Sequence, residues 1–477
     1  MSSMQTRAAW LLGAALLLPV PAALHAQDKA LAPTSASEQA KTAFRAAIYE
    51  SQNLNPAVAR AQIAAAASAD PKFGLAQVYQ TVIAQGLTAA EREARIAPVL
   101  GAMGNATPAE VLLALYWRET AAGRGAAAAP ILAAASALVP DDPEIAYAYA
   151  NTTQVGKPAT EQAVLLRKFL ERFPNHAAAH NQLAYTLWRA GDREGALAAV
   201  QQYAKHAPDH PNAHDSYADI LLLLGRNEEA IPHVQREIEL APDWVVAHSK
   251  LGTIQLTRGN IKEARGHFVT ALAKSTTPGE RIESMHWQAA THVYARDARG
   301  AVQQLMRIVE TAREANMTGA VALAYDRAAV IDAYMGNRNA VATHLNAASA
   351  AATNAAQKAT YQAHAAIALS RIGKAAEARA AVTEFAAGNP DAEVLASLEA
   401  LLALDRKDYA AAETALGKVG AIDPLAKALR AELMMRTGRK ADGQALRQEV
   451  LKASVKVDGN APVDFIALLG RMRVEAL

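Results

Sequence analysis

One stretch of this chain returns at a fixed interval of 34 residues. The segment that begins at His180 reads HNQLAYTLWRAGDREGALAAVQQYAKHAP, and related segments that align with it without a gap begin at His214 and His248. A repeat of this length is one supersecondary unit, too small to bury a hydrophobic core alone, so neighbouring copies must stack on one another. The interval therefore predicts an array of repeats instead of separate globular domains along the 477 residues.

The aligned copies share residue types that define two helices and a turn. Small residues fill two columns, one in each predicted helix: Ala184, Ala218 and Gly252, and then Ala196, Ala230 and Ala264. Glycine fills a third column: Gly191, Gly225 and Gly259. The glycines follow the first predicted helix, where a left-handed backbone is often needed. Each copy is therefore predicted to be a helix, a glycine turn and a second helix.

Proline continues the same register beyond the three copies. Prolines spaced 34 residues apart form two series: Pro140, Pro174, Pro208 and Pro242, and then Pro390 and Pro424. Because proline cannot extend a helix, Pro208 and Pro242 are expected to close the second helix of their units. This order of small, glycine and proline positions resembles the tetratricopeptide repeat (TPR) family, whose 34-residue unit is a helix-turn-helix.

The resemblance implies an all-α fold, a right-handed α-solenoid of about ten or eleven TPR-like helix pairs. Weaker copies flank the three regular ones, and the register slips after residue 278. The chain is expected to divide into a signal peptide (1–26), a flexible lead-in and N-terminal helix (27–55), degenerate TPR-like pairs (56–174), three regular TPR units (175–278), irregular helix pairs (279–357), C-terminal TPR-like pairs (358–456) and a capping helix (457–477).

The N-terminal residues have the layout of a secretory signal peptide. One basic residue, Arg7, precedes an apolar run from Ala8 to Leu18, and Ala26 precedes a polar stretch. The apolar run has 11 residues, fewer than the roughly 20 that a membrane-spanning helix needs. We therefore expect export, cleavage after Ala26 and a periplasmic location.

The C-terminal sequence PVDFIALLGRMRVEAL predicts an amphipathic helix that caps the last repeat. Phe465, Ile466, Leu468 and Leu469 are expected to pack against the last helix pair. The charged residues of this segment are of mixed sign, which favours a cap over a helix that lies on a membrane surface.

Composition and motifs argue against several functional classes. The chain has 48 Lys and Arg against 46 Asp and Glu, a net charge of +2, so it lacks the basic excess of a nucleic-acid binder. It has no cysteine, which excludes disulfides, thiol nucleophiles and Cys-ligated zinc. It contains no nucleotide phosphate loop, serine-hydrolase elbow or H-E-x-x-H zinc motif. No enzymatic activity and no cofactor are expected.

Histidine forms a further column, which raises the question of a metal site. His180, His214 and His248 recur at the repeat interval, but equivalent helices of stacked units lie at least about 8 to 10 Å apart. His176 and His180, and also His210 and His214, have the i, i+4 spacing of metal ligands, without an evident third ligand. A structural role is therefore favoured, and a metal-dependent or enzyme-associated role is the less favoured alternative.

The first helix of each regular unit carries a face suited to a partner. Leu183 and Leu187 are expected to point to the core, whereas positions spaced i, i+4, i+7 and i+8 share another face. In the TPR family the corresponding positions line the concave groove. The resemblance implies a partner-binding groove formed by Asn181, Tyr185, Trp188, Arg189, Asp215, Asp219, Leu222, Ser249, Thr253 and Leu256. The alternative is that these positions are ordinary packing or edge residues.

Export and a repeat-filled chain lead to one functional hypothesis. The chain is expected to be a non-enzymatic protein-protein interaction scaffold or adaptor of the bacterial cell envelope, which binds a peptide segment or partner protein in its concave groove. An alternative within the same class is a periplasmic subunit of a secretion, polysaccharide-export or outer-membrane assembly machine. The sequence identifies neither the partner nor the pathway.

Overall fold

The computed structural model describes residues 30–388, 390–420, 423–452 and 465–475. Throughout these ranges every regular element is an α-helix, and there are 25 of them. Consecutive helices pack together as pairs and successive pairs stack, so the prediction of an all-α repeat solenoid is confirmed. The predicted signal peptide, 1–26, lies outside the described residues.

The chain separates into two compact units between Ala190 and Gly191. The described part of the first unit consists of nine helices: α1 (Glu38–Gln52), α2 (Pro56–Ala69), α3 (Gly74–Val82), α4 (Ala89–Ala102), α5 (Pro108–Ala121), α6 (Gly125–Leu138), α7 (Pro143–Thr153), α8 (Ala159–Arg172) and α9 (Ala177–Arg189).

The described part of the second unit consists of sixteen helices: α10 (Arg193–His206), α11 (Pro211–Leu223), α12 (Asn227–Leu240), α13 (Val245–Thr257), α14 (Ile261–Lys274), α15 (Pro278–Tyr294), α16 (Ala298–Glu314), α17 (Thr318–Met335), α18 (Val341–Ala351), α19 (Ala355–Arg371), α20 (Ala375–Ala387), α21 (Ala392–Asp405), α22 (Tyr409–Leu416), α23 (Pro424–Arg436), α24 (Lys440–Lys452) and α25 (Phe465–Glu475). None of the helices that the structure describes is long and apolar enough to cross a membrane.

The glycine column ends the first helix of each regular unit, as the sequence predicts. Gly191, Gly225 and Gly259 have φ angles of 86°, 74° and 81°, the left-handed region in which a Cβ atom is disfavoured. Lys407 takes the same conformation after α21, with φ of 60°, and shows that the turn does not require glycine.

The register slip after residue 278 has a simple structural cause. α11, α13, α12 and α14 have 13 or 14 residues each, whereas α15, α16 and α17 have 17, 17 and 18. The additional residues add about one helical turn to each element. The 34-residue spacing is lost here because the helices are longer, while the paired arrangement is retained.

A close contact between two helices of the second unit explains why the first small-residue column has glycine at position 252. Gly252 in α13 faces Phe268 in α14, and a Cβ atom at Gly252 would lie 2.5 Å from Cε1 of that ring. The Phe268 ring stacks on Trp287 with centroids 5.4 Å apart and an interplanar angle of 7°. Both rings are buried, so the small residue lets the two helices meet around an aromatic stack.

The predicted C-terminal cap is a helix, and Leu468 and Leu469 are buried against the rest of the second unit. It packs on α23 and α24 as expected, and it also contacts α17. The helix therefore reaches beyond the last pair. The side chains of Phe465 and Ile466, which were predicted to take part, lie outside the described residues.

Candidate functional site

The histidine column has a repeated structural contact. Nε2 of His180 lies 2.7 Å from the carbonyl oxygen of Pro174, Nε2 of His214 lies 2.8 Å from that of Pro208, and Nε2 of His248 lies 3.3 Å from that of Pro242. Each ring therefore donates to a proline carbonyl in the turn that lies two residues beyond the preceding helix. This contact favours the structural interpretation of the column.

The i, i+4 histidine pairs also serve the backbone. Nδ1 of His176 accepts a hydrogen bond from the amide of Ala179 at 3.2 Å, and Nδ1 of His210 accepts one from the amide of Asn212 at 3.2 Å. Both rings thus cap the first turn of a helix. Within the described ranges, no three His, Asp or Glu side chains are grouped so that they could hold a metal ion.

Two of the predicted groove residues belong to a buried ionic cluster in the second unit. The ammonium group of Lys250 contacts Asp215 directly, lies 2.8 Å from Oδ1 of Asp219 and lies 3.9 Å from Oε2 of Glu237. Lys250 and Glu237 have no exposed surface, and Asp219 is 4% exposed. Burial raises the pKa of Glu237 well above its usual value, although the nearby ammonium opposes that shift. These carboxylates therefore interact with Lys250 inside the protein.

The other four predicted residues of the second unit are also packed internally. Leu222 and Leu256 belong to its hydrophobic core. The Ser249 hydroxyl donates to the carbonyl of Val245 at 3.2 Å, and the Thr253 hydroxyl donates to the carbonyl of Ser249 at 3.0 Å. All four are nearly covered. Partner binding by these positions stays a prediction that the observed packing does not support.

The four predicted residues of the first unit differ in their surroundings. Tyr185 and Trp188 are half-buried, and Arg189 is exposed. The Arg189 guanidinium donates to Oε1 of Gln162 at 3.2 Å and to the hydroxyl of Thr186 at 3.1 Å. Asn181 is the one of these four that lines a large concavity.

The first unit contains a groove made of three adjoining concavities, of about 510, 500 and 360 Å³. It lies where α1, α5, α7 and α9 converge, and Gln52 lines all three parts. Tyr49 and Tyr116 supply aromatic surface, while Asn181 supplies an amide group. Nε2 of Gln52 donates to the carbonyl of Glu144 at 3.3 Å, so residues 92 positions apart meet at the centre of the groove.

Three residues that line the groove carry amide oxygens without a hydrogen-bond donor. Oε1 of Gln52, Oδ1 of Asn53 and Oδ1 of Asn181 are buried and have no hydrogen-bond partner among the described residues. Asn53 is 1% exposed and Asn181 is 6% exposed. A buried acceptor without a partner costs free energy. Each of these oxygens therefore lacks a donor that the N–H group of a ligand would supply once the amide side chain turns toward the groove.

Two tyrosines that line the groove, Tyr147 and Tyr49, have raised pKa values. Tyr147 is buried, and its hydroxyl donates to the carbonyl of Ala178 at 3.2 Å. Burial raises the pKa of Tyr147 to about 12. Burial and the nearby Glu50 and Glu144 also raise the pKa of Tyr49. Both phenols keep their protons near neutral pH and can offer a ring face or a hydrogen bond.

An extended segment of the chain itself lies beside this groove. The amide of Leu31 donates to Oδ2 of Asp142 at 3.1 Å, and the amide of Thr34 donates to Oε1 of Glu110 at 2.7 Å. The guanidinium of Arg45 donates to the carbonyl of Leu31 at 3.1 Å. The lead-in that was expected to be flexible is thus anchored at residues 31 and 34 by backbone hydrogen bonds to side chains.

Of the residues that the sequence predicts for a partner groove, Asn181 lines this one, and its part in binding stays a prediction. The other predicted positions belong to the three regular units, whereas Tyr49 and Gln52 lie in the predicted N-terminal helix and Tyr116 lies in the degenerate pairs. One signal was present: amide and tyrosine residues occur together toward the ends of α1 and α7, and α5 carries Tyr116. Their convergence depends on the curvature of the unit, which a single sequence does not specify.

Comparison with known proteins agrees with the fold. The model of the family described as tetratricopeptide repeat matches residues 181–243. No curated protein matches the chain. A solved TPR protein from Parabacteroides merdae is 15% identical and has a TM-score of 0.41; the match covers 54% of this chain and 98% of that one.

Two smaller solved structures are also similar. A thermophilic TPR protein from Thermus thermophilus is 20% identical with a TM-score of 0.32, and the match covers 38% of this chain and 98% of that one. YrrB, described as a TPR protein with an unusual peptide-binding site, is 17% identical with a TM-score of 0.31, and the match covers 38% of this chain and 93% of that one.

The family match coincides with the regular helix pairs. It covers α9 to α12 almost entirely, and these pairs carry the glycine turn and the histidine contact described above. The fold supports a role in protein-protein interaction, because stacked repeats form extended binding surfaces. The chain therefore contains tetratricopeptide repeats, which the family model matches at residues 181–243.

Proposed function

We propose that this protein is a non-enzymatic scaffold of the bacterial cell envelope that binds an extended peptide segment of a partner in the groove of its first unit. The observation that carries the proposal is the buried amide oxygen of Asn181, which lines the groove and has no partner among the described residues. An extended peptide presents backbone N–H groups at regular intervals and can supply the missing donor.

The chemistry of the groove suits a peptide backbone. Three unused amide oxygens can accept N–H groups, and Tyr49 and Tyr116 add apolar surface for side chains. The groove combines apolar residues with many polar ones, including the charged side chains of Glu144 and Arg172, and such polar groups fix the orientation of a ligand. The proposed ligand is therefore recognised through its main chain, with apolar side chains placed against the tyrosines.

The anchored segment at residues 31–34 gives a local example of the same recognition. Its amides at Leu31 and Thr34 are both bound by buried side-chain oxygens, from Asp142 at the N-cap of α7 and from Glu110 in α5. The first unit thus already binds backbone amides of a segment without regular secondary structure along this surface. A partner peptide in the neighbouring concavities would use the amide oxygens in the same way.

The experiment compares two tyrosines of the first unit. Tyr116→Ala removes aromatic surface from the groove, whereas Tyr149→Ala alters an exposed residue that does not line it. Wild type and both variants are applied to an array of short synthetic peptides, and the affinities of bound peptides are measured by calorimetry. We expect Tyr116→Ala to lower affinity by about tenfold or more, since an aromatic anchor contributes 1.4 kcal/mol or more to binding. Tyr149→Ala should leave affinity unchanged.

A second variant separates binding from stability. Asn181→Leu removes the unused acceptor and keeps a similar volume, so it should maintain or raise the unfolding midpoint while it weakens peptide binding. N-methylation of the bound peptide at one backbone position should have a matching effect. The proposal is refuted if the array yields no peptide that wild type binds, or if the bound peptides keep full affinity for Asn181→Leu and Tyr116→Ala.

Export is part of the proposal and has its own support in the sequence. The basic residue Arg7, the short apolar run and Ala26 have the order of a signal peptide. N-terminal sequencing of the protein from its native host should begin at Gln27. A mature protein that still contains Arg7 would contradict the envelope location and leave the peptide-binding proposal intact.

A further inference from the structure

The last helix reaches parts of the second unit that a neighbouring repeat would not reach. In a stacked array each repeat contacts only its neighbours. α25 contacts α23 and α24, the pair beside it in sequence, and it also contacts more distant elements. The Arg471 guanidinium lies 4.2 Å from the ring centroid of Tyr294 in α15, and Nη1 of Arg473 donates to the hydroxyl of Tyr334 in α17 at 3.3 Å. The helix therefore lies across the first helices of several repeats.

The burial pattern of α25 differs from that of an end cap. A capping helix buries one face and exposes the other. Among the described side chains of α25, the buried ones cover about two thirds of the helix circumference, and Arg471 and Glu475 occupy the half-buried remainder; the buried residues are Leu468, Leu469, Gly470, Met472, Arg473 and Val474. At Gly470 the backbone comes so close to α23 that a Cβ atom would lie 2.7 Å from the carbonyl oxygen of Pro424. Helices of the second unit thus surround most of α25, as a groove surrounds a helical ligand.

One ionic contact holds the last turn of the helix. Nε and Nη2 of Arg473 lie 2.7 Å and 2.6 Å from Oε2 of Glu432, which is 2% exposed. The other carboxylate oxygen of Glu432 lies 2.5 Å from Nη2 of Arg436, on the same helix. Glu432 would thus retain a cationic partner if α25 left. The carboxylate of this contact and its second partner therefore both belong to α23, and their ion pair does not involve α25.

The end of α25 is held by arginine side chains. Nε of Arg447 in α24 donates to the carbonyl of Val474 at 2.8 Å, and Nη1 of Arg471 donates to the carbonyl of Leu451 at 3.1 Å. Carbonyls at a helix end have no partner within the helix, and a cation near them is favourable. The contact at Val474 depends on backbone, so another helix could make it equally well.

The surface beneath the helix is partly polar. A cavity of about 10 Å³ separates Leu468 from a wall that includes His286 and Arg327. His286 is 3% exposed, and neither of its ring nitrogens has a hydrogen-bond partner among the described residues. Burial and the neighbouring Arg327 keep the pKa of His286 well below its usual value. Polar groups of this kind are usual at interfaces and uncommon in a permanent core.

We propose that the inner surface formed by α15, α17 and α23 is a second binding site of this protein, for an amphipathic helix that carries an arginine, and that α25 is its internal occupant. A partner helix binds by replacing α25: its arginine contacts Glu432 and Tyr334, and its apolar residues take the places of Leu468, Leu469 and Met472. This inference concerns the second unit alone and does not depend on the peptide groove of the first.

Hydrogen exchange on the unmodified full-length protein is the first test. An occupant that leaves and returns should exchange its amides through local opening, without unfolding of the helices around it. We expect the amides of α25 to exchange at least about tenfold faster than those of α23, which corresponds to an opening that costs at least 1.4 kcal/mol less than that of α23. Exchange of α25 and α23 at the same rate would overturn the proposal, because α25 would then be a part of the core.

A binding experiment tests replacement directly. The full-length variant Leu469→Asp, Arg473→Asp has a weakened internal helix and an unchanged groove. A fluorescent peptide of residues 463–477 with the wild-type sequence should bind this variant at least about tenfold more tightly than it binds wild type, because the internal competitor is removed. A variant that remains helical by circular dichroism and binds no peptide would refute the proposal.

Swapping the charges of Glu432 and of peptide position 473 tests whether the peptide binds at Glu432. Adding Glu432→Arg to the weakened variant should abolish binding of the wild-type peptide, and a peptide with Asp at position 473 should then bind at least about tenfold better than the wild-type peptide. Equal binding of both peptides to both proteins would show adsorption away from Glu432 and would contradict the assignment. If the weakened variant does not fold, the exchange rates of the wild-type protein decide the question.

Discussion

The ammonium group of Lys250 in α13 lies 2.8 Å from Oδ1 of Asp219 in α11, and neither residue is accessible to solvent to any useful extent. The same ammonium contacts Asp215, and Glu237 in α12 completes the group. A charge buried in this way is favourable only while its partners are present. The cluster therefore joins three consecutive helices of the regular repeats through one lysine.

Removing that lysine should destabilise the protein strongly. Lys250→Met keeps most of the volume and leaves the carboxylates of Asp215 and Asp219 without their cation, which costs about 3 to 5 kcal/mol of unfolding free energy. Urea unfolding at neutral pH measures this loss of unfolding free energy. The matched control is Lys262→Met, an exposed lysine of α14, which should change stability by about 0.5 kcal/mol or less. Similar small effects of both substitutions would show that the cluster does not stabilise the fold.

The acidic partner Glu237 predicts a pH dependence. Burial raises its pKa well above the usual value, so the folded protein keeps a proton that the unfolded chain releases above about pH 4.5. The contribution of this group to stability is thus present below that pH and is lost as the pH rises toward the folded pKa. Glu237→Gln cannot titrate and has nearly the same shape. The stability of this variant relative to wild type should increase with pH.

Urea unfolding at acidic, neutral and mildly alkaline pH tests that expectation. Glu239→Gln serves as the control, because Glu239 is exposed and only two residues away. Its stability difference from wild type should be the same at each pH. If Glu237→Gln also gave a difference that is independent of pH, Glu237 would be ionised in the folded protein and the stated direction of its pKa shift would be wrong.

The helices and turns could be predicted because their signals are local. The left-handed turns at Gly225 and Gly259 follow from the absence of a side chain, and prolines such as Pro211 occupy first helical positions. Helix length in the later repeats could not be predicted from the repeat, since α15 to α17 continue past the positions where the regular units end. Their ends depend on packing with neighbouring pairs.

The site could be predicted only in part for a related reason. Asn181 was predicted because it occupies a family groove position, and it lines the groove of the first unit, but its role in binding stays a prediction. Lys250 was not found, because a lysine in a sequence suggests an exposed face and its burial depends on carboxylates 31 and 35 positions earlier. Gln52 and Glu144 meet across 92 positions through the curvature of the first unit. Contacts of that range are properties of the stacked array.

The aromatic stack in the second unit predicts opposite effects for two glycines. Gly252→Ala places a Cβ atom 2.5 Å from Cε1 of Phe268, which cannot move freely because it stacks on Trp287. Overpacking of this kind costs about 1 to 3 kcal/mol, more than the gain of about 1 kcal/mol from replacing glycine in a helix. Gly266→Ala in α14 meets no atom within 4 Å, and should stabilise by about 0.5 to 1 kcal/mol.

Thermal unfolding of the two variants decides whether the small column is a packing requirement. We expect the midpoint to fall for Gly252→Ala and to rise for Gly266→Ala. A rise for both would mean that the helices can separate enough to accept a methyl group at the Phe268 contact, and that the column reflects no steric limit.

The two capping boxes of the first unit allow the anchored N-terminal segment to be tested by itself. Glu110 caps α5 together with Thr107 and also accepts the amide of Thr34 at 2.7 Å, whereas Glu91 caps α4 together with Thr88 and is exposed. Glutamine can replace glutamate in a capping box. Glu110→Gln and Glu91→Gln should therefore both preserve the helices, and only the first should weaken the segment.

The expected difference comes from the loss of one acceptor oxygen. Glutamate offers one oxygen to the amide of Thr34 and the other to the amide of Thr107, whereas glutamine offers one oxygen and an NH2 group that only donates. When the remaining oxygen keeps the cap at Thr107, the Thr34 amide loses a hydrogen bond to a charged group, which contributes about 1.5 to 3 kcal/mol. The Thr34 amide should then exchange with solvent about tenfold faster in Glu110→Gln, and at the wild-type rate in Glu91→Gln. Equal rates in both variants would mean that the segment is held by its other contacts, at Asp142 and Arg45, and that the first unit binds extended backbone without relying on the Glu110 carboxylate.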